Sequence, residues 1–349
     1  MRAILLVVVM AGVIGVPCAP GQESANRLRE ADDLVKSHRL DKANELLMDL
    51  VQQDPGNLQG LIKLGQVELA LGLNDDALKS FERALSLDRT ALEAREGEVK
   101  AAEAAALADS KAGIDGSALL YLMRARKFVP DSPELLLDFG VQAERMRIYR
   151  DADEALAKAH QLVPDNLKVL YALARVQLDE QKMPEAEVNL RLYLKSKPDD
   201  PTAHYGLGHL LHMMSRDDEA KNELDKSIAL QPRQSASYYE LGEIALEQNQ
   251  DDAAREEFTR TLALAPHHGG ALTGMGVLAF RAKDYPTAEQ YLKSATEYAA
   301  DYPKAHHYYA LVLARLGRTE ESKREAARAT ELDQQETKLI HGNTMTELQ

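Results

Sequence analysis

Prolines stand at positions 130, 164, 198, 232 and 266, five in succession at one constant interval. Ala118, Ala152, Ala186, Ala220 and Ala254 lie twelve residues before them, and Leu122, Leu156, Leu190, Leu224 and Phe258 lie eight before. Gly140, Ala174, Gly208, Gly242, Gly276 and Ala310 recur at the same spacing, each preceded by a large apolar residue. A unit this short cannot bury its own apolar face, so copies must stack on one another. The 349 residues are therefore read as an array rather than as two or three globular domains. Aromatic residues make up only 5% of the chain and Trp is absent, a composition that favours an all-α fold over a β-sandwich or barrel.

Each unit is numbered so that its proline falls at position 32. At about 100° per residue, apolar positions 4, 7, 8 and 11 form one stripe of an amphipathic helix A, and position 20 lies on a second helix, B. Small residues at positions 8 and 20 let the two helices approach closely. Asn57, Ser132, Asn166 and Asp200 occupy position 34 and are suited to cap the next helix A, and Pro133, Pro201 and Pro303 follow in its first turn. Gly72, Asn249 and Gly317 sit at position 15, where helix A must stop in a left-handed residue.

These positions resemble the tetratricopeptide repeat, whose signature places are 4, 7, 8, 11, 20, 24, 27 and 32. Six units run without insertion or deletion, at 133–166, 167–200, 201–234, 235–268, 269–302 and 303–336. Upstream, 24–57 and 58–91 make two more, and 92–132 makes a third that is seven residues too long. Its surplus falls in the glycine- and serine-containing stretch 108–116, read as a loop. Residues 337–349 remain as a tail. The resemblance implies a right-handed superhelical solenoid of about nine helix-turn-helix units with a concave groove. Position 4, often Trp in the family, is here Leu136, Leu170, His204, Tyr238 and Leu272.

Met1-Arg2 precedes fourteen apolar or glycine residues, Ala3 to Val16, and then Pro17-Cys18-Ala19-Pro20-Gly21. The run is too short for a comfortable membrane span but fits a secretory signal peptide, residues 1–21, cut after Gly21 or, as second choice, after Cys18. Either cut removes the only cysteine. Pro17 stands where a lipoprotein signal wants a small residue, so lipidation is disfavoured. The mature chain, with no other membrane-spanning segment, is expected to be exported, with the bacterial periplasm as the favoured destination.

The formal charge of −14 disfavours nucleic acid as a partner. No Gly-rich phosphate loop, GxSxG elbow or HExxH is present, so no catalytic, cofactor or metal site is assigned. His204, His209 and His212 form the only histidine cluster and are read as packing residues rather than ligands, and the pairs His267-His268 and His306-His307 as cap or surface residues. In the tetratricopeptide fold, positions 5, 9 and 12 line the groove. Here they give Tyr171 and Arg175, then Tyr205, His209 and His212, then Tyr239 and Glu243. The Lys and Asn clamp with which some family members hold chaperone tails is missing. The expected function is a non-enzymatic scaffold that binds a peptide or partner protein, for instance in an envelope assembly or secretion complex. The alternatives are a recruiting subunit of an enzyme complex and a metal or small-ligand carrier using the histidines. The tyrosines are expected to contact the ligand, so that Tyr205→Ala with Tyr239→Ala would weaken binding while leaving the melting temperature nearly unchanged.

Overall fold

The computed structural model describes residues 20–342; the signal-peptide assignment falls on residues that lie almost wholly outside this range. Among the described residues there are eighteen α-helices and no strand. The chain divides into two compact parts between Leu135 and Leu136. In the first, α1 (Pro20–Lys36), α2 (Leu40–Gln53), α3 (Leu58–Ala70), α4 (Asn74–Leu87), α5 (Leu92–Lys111) and α6 (Asp115–Arg126) form three hairpins. The chain then enters α7 (Pro133–Arg145), α8 (Tyr149–Leu162), α9 (Leu167–Asp179), α10 (Met183–Ser196), α11 (Pro201–Met213) and α12 (Asp217–Leu230). It ends in α13 (Ser235–Glu247), α14 (Asp251–Leu264), α15 (Gly269–Arg281), α16 (Tyr285–Tyr298), α17 (Pro303–Arg315) and α18 (Thr319–Gly342). Odd-numbered helices are the A helices and even-numbered ones the B helices.

Local chemistry fixes where several A helices begin and where those from α7 to α17 end. Asn57 accepts from Gly60 N, Asn166 from Lys168 N and Val169 N, Asp200 from Thr202 N and Ala203 N, and Ser132 Oγ from Leu135 N. At the other end, Arg147, Gln181, Ser215, Asn249, Lys283 and Gly317 take φ between 57° and 78°, one in each successive unit. After each of them the next backbone N–H reaches back five residues, as when Lys182 N donates to Gln177 O at 2.8 Å, closing a Schellman-type turn.

Where position 8 is glycine, the seam within the hairpin depends on it. A Cβ placed on Gly140, Gly208, Gly242 or Gly276 would come within 3.0 Å of Leu156, Leu224, Phe258 or Leu292, the position-24 side chain of the same unit. Phenylalanine at position 24 asks for more room. Phe81 lies between Gly65 and Gly97, and Phe258 between Gly242 and Gly274, the second glycine in each case belonging to the next A helix. Where position 24 is the smaller Leu190, a Cβ at the equivalent Gly206 would stand 4.0 Å away, an ordinary contact.

Position 4 carries a second regular device. His204 Nε2 lies 2.9 Å from the carbonyl of Pro198, Tyr238 Oη donates to that of Pro232 at 3.2 Å, and His306 Nε2 lies 3.1 Å from that of Ala300. Each polar ring ties its A helix to the carbonyl at position 32 of the preceding unit. His204 and His306 also place Nδ1 2.6 Å from Glu223 and Glu325 on their own B helices. His306 is therefore a buried bridging residue and not the cap or surface residue expected from sequence, whereas His268 does cap α15 by accepting from Ala271 N.

The expected loop at 108–116 is mostly helix. α5 has 20 residues where α3 has 13, so the seven-residue surplus extends the A helix by about two turns. An insertion of that size preserves helical phase, and the alanine-rich stretch before Leu107 favours helix. Gly113, at φ 77°, makes the turn into α6.

Glu98 on α5 is wholly buried, and neither of its carboxylate oxygens has a hydrogen-bond partner. Burial, reinforced by the nearby Glu82 and only partly offset by Arg124, pushes its carboxyl up to about 8. A proton held more tightly in the folded state stabilises the fold fully below the ordinary carboxylate range, and that contribution is lost as pH rises towards 8.

Two expectations follow for stability. Gly274→Ala should lower the unfolding free energy by about 1–3 kcal/mol through crowding of Phe258, whereas Gly206→Ala should raise it by about 0.5–1 kcal/mol, the ordinary gain for alanine within a helix. Urea titration of the two variants measures this, and equal effects would contradict the seam. Glu98→Gln should raise the melting temperature clearly at pH 8 and hardly at pH 4.5; a gain independent of pH would contradict the buried, proton-holding carboxyl.

Candidate functional site

Within the second part, α11 touches α13, α13 touches α15 and α15 touches α17 directly, whereas successive B helices meet far less. The A helices therefore form the inner side of this stack. The seven groove candidates all lie on α9, α11 and α13.

The three tyrosines differ in their surroundings. Tyr171 is half-buried, its ring 4.9 Å from Tyr193 of α10, whose hydroxyl donates to the cap residue Asp200 at 2.8 Å. Tyr205 is half-buried, stacks at 6.2 Å on His209, and has its hydroxyl pushed up to about 12 by burial. Tyr239 packs against Phe258 at 6.2 Å and His268 at 4.6 Å, and a Cβ on Gly270 would strike its ring. Tyr239 thus belongs to the packing between α13 and α15, which corrects the expectation that its removal leaves melting unchanged.

The charged candidates pair with residues of opposite charge on other A helices. Arg175 Nη2, on a half-exposed side chain, donates to the buried Glu144 Oε1 of α7 at 2.6 Å. His209 Nδ1 meets the buried Glu240 of α13, and that hydrogen bond holds its imidazole above the usual histidine range against the opposing effect of burial. Glu243 Oε2 accepts from Lys304 Nζ of α17, 61 residues away. Burial raises the Glu243 carboxyl, Lys304 pulls it back, and the net direction is upward. Asp179, exposed at the end of α9, interacts electrostatically with both Arg175 and His209. His212 lies between two carboxylates: its Nδ1 is 3.1 Å from Asp217 at the start of α12 and its Nε2 3.9 Å from Glu247 of α13, and Asp217 also accepts from Gln248 at 2.8 Å.

Sequence reasoning finds one end of each pair and misses Glu144, Glu240 and Lys304. Glu240 and Lys304 occupy positions 6 and 2, away from the groove positions 5, 9 and 12, and Glu144 is at position 12 of the unit before the first tyrosine. A cation and an acid separated by one period less three is the signal that identifies such pairs on adjacent A helices, as in Arg175 with Glu144 and His209 with Glu240. Among the described residues no group of three or more His, Cys, Asp or Glu side chains is placed to hold a metal ion. The rings of His204, His209 and His212 face carboxylates of the protein itself. No helix among the described residues is long and apolar enough to cross a membrane.

Truncating Tyr239 to Ala should cost about 2–4 kcal/mol of stability, as for other large aromatic truncations in partly buried packing, while Tyr239→Phe should cost under about 1 kcal/mol. Denaturant unfolding decides this; an unchanged midpoint for the alanine variant would show that the ring does not support α15.

Profiles of the tetratricopeptide repeat match residues 28–94 and 214–269, and 149–210 and 279–342, together well over half of the chain. No curated protein matches the chain in sequence. Among solved structures, PilF of Pseudomonas aeruginosa is similar over 62% of this chain and 98% of its own, with 19% identity and a TM-score of 0.52. MamA of Desulfovibrio magneticus RS-1 is 21% identical over 49% of this chain and 97% of its own, with a TM-score of 0.46. A tetratricopeptide repeat protein of Parabacteroides merdae is 19% identical over 74% of this chain and 99% of its own, with a TM-score of 0.42. At such identities the likeness speaks to fold alone. With the repeat profiles, the all-helical hairpin architecture and the signature positions in agreement, the chain belongs to the tetratricopeptide repeat family.

Proposed function

We propose that this chain is an exported, non-catalytic scaffold that holds an extended peptide or a segment of a partner protein on the inner A-helix face of its second part. Proteins built from these repeats are in general interaction scaffolds, and the finer reading rests on one observation. Tyr171, Arg175, Tyr205 and His209 stand on consecutive A helices with their side chains half-buried or partly exposed, each held by a neighbour. Such groups present apolar area and hydrogen-bonding capacity while losing little conformational freedom on binding. Export rests on the apolar run and small-residue cleavage site of residues 1–21, and an envelope assembly or secretion complex is the setting that this destination suggests.

The test places a photo-reactive phenylalanine analogue at position 171 or 205, and a control at Val188, 65% exposed on the B helix α10. Irradiation of cells expressing these chains should give a discrete adduct from 171 and 205 and none from 188. Adducts from 188 alone would contradict the inner-face reading. Fractionation of the same cells should recover the chain in the envelope or periplasm with its N-terminus near Gln22, and a cytoplasmic chain retaining Met1 would contradict export.

A further inference from the structure

The groove positions of α15 are sealed. Thr273 is 0% and Val277 1% exposed, whereas Tyr205 and His209 on α11 are half-buried and Leu311, the equivalent of Val277 on α17, is 38% exposed. The cover comes from the A helices on either side. Tyr239 of α13 and Tyr308 of α17 pack against the cluster that contains Val277, and Tyr308 also meets the edge of Phe280 at 6.4 Å. Tyr239 and Tyr302, the residue before α17, interact through their side chains. Lys304 Nζ donates to Glu243 Oε2, joining α17 directly to α13 over a separation of 61 residues. Both helices pack on α15 and hardly on each other, so long side chains make the bridge.

Such a bridge is releasable. An ion pair in a poorly hydrated place gains little net free energy, because lost hydration offsets the attraction. Glu243 Oε1 has no hydrogen-bond partner. Burial, with Glu240 and Glu247 adding to it, outweighs Lys304 and leaves the Glu243 carboxyl above the ordinary range. A carboxyl raised in this way binds its proton more tightly in the folded chain than in the unfolded one, so mild acid discharges Glu243 while the fold persists. The neighbouring titratable groups are few. Glu240 is engaged by His209 of α11, Glu247 lies near His212, and His268 packs on Tyr239. Arg281, the charged residue of α15, pairs with Asp251 of α14.

We propose that the Lys304–Glu243 bridge is a clasp that keeps the inner face closed over α15 and opens when Glu243 takes up a proton. Closed, the inner face is interrupted after α13. Open, Thr273 and Val277 become its continuation. The clasp is a property of the array itself, whatever partner the face holds.

Residues 22–349 contain no cysteine, so one introduced thiol reports one place. Thr273→Cys reports α15, Val176→Cys the buried side of α9, and Val188→Cys, on an exposed position, the free rate at each pH. Reaction with 2,2′-dithiodipyridine is followed by absorbance. At about pH 7.5 the thiol at 273 should react at least about a hundred times more slowly than that at 188, a gap of two or more decades in exposure. Lowering the pH to about 5 should raise its relative rate at least about tenfold, and so should Glu243→Gln with Lys304→Met at about pH 7.5. The thiol at 176 should stay protected throughout. The acid response should persist in His268→Asn, which removes the imidazole beside Tyr239 and retains a capping side chain. If the paired variant fails to fold, the acid series carries the test. A thiol at 273 that reacts freely at the higher pH, or that stays protected in acid, would overturn the clasp. Equal exposure at 176 would overturn it in favour of general unfolding, and loss of the acid response in His268→Asn would overturn the proton on Glu243 as the trigger.

Discussion

The absence of a bulky side chain at position 8 of helix A is what the rest of the array depends on. With glycine there, the position-24 side chain of helix B rests on the backbone of helix A, as Leu156 does on Gly140 and Leu292 on Gly276. That contact sets the distance between the two helices, and repeating it from unit to unit sets the stack. Where phenylalanine replaces leucine at position 24, the next A helix yields a second glycine, Gly97 for Phe81 and Gly274 for Phe258. The array therefore adjusts volume between units as well as within them, as expected of close-packed interiors.

Hairpin spacing in turn determines which side chains can meet across the inner face. Successive A helices are near enough for Arg175 to reach Glu144 and for His209 to reach Glu240. These pairs do not act as ordinary surface ion pairs, because one partner of each is buried. Glu144 and Glu240 are nearly inaccessible, so removing Arg175 or His209 would strand a carboxylate in a poorly solvated place. The face that carries the candidate ligand contacts is for this reason also a stitched part of the fold, and its charges are preorganised before any partner arrives.

Much of the fold is legible in the sequence because a repeated pattern reports the same contact many times. The cap residues Asn57, Ser132, Asn166 and Asp200 and the left-handed turn residues Gly72, Asn249 and Gly317 all stand where their positions in the unit place them. Legibility fails where a unit departs from the pattern. Glycine and serine between 108 and 116 suggest a loop, but seven residues fit two helical turns and the alanines before them favour helix. His306 reads as a surface residue because its partner, Glu325, is on helix B, 19 residues on, and no rule of helical periodicity links the two. The site is less legible than the fold. Positions 5, 9 and 12 identify residues on the A helices, but whether a tyrosine stands free or acts as a wedge depends on its neighbour. Tyr239 is a wedge because Gly270 gives it a seat.

The central claim is that partners are held on the A-helix side of the second part. Hydroxyl-radical footprinting of the chain, alone and saturated with its native partner, tests it most directly, since it reports side-chain exposure without altering any residue. The account requires protection of Tyr171, Tyr205 and His209, with Val188, Leu192 and Tyr298 on the B helices as reactive as before. Protection of those three with no change on α9 and α11 would contradict it.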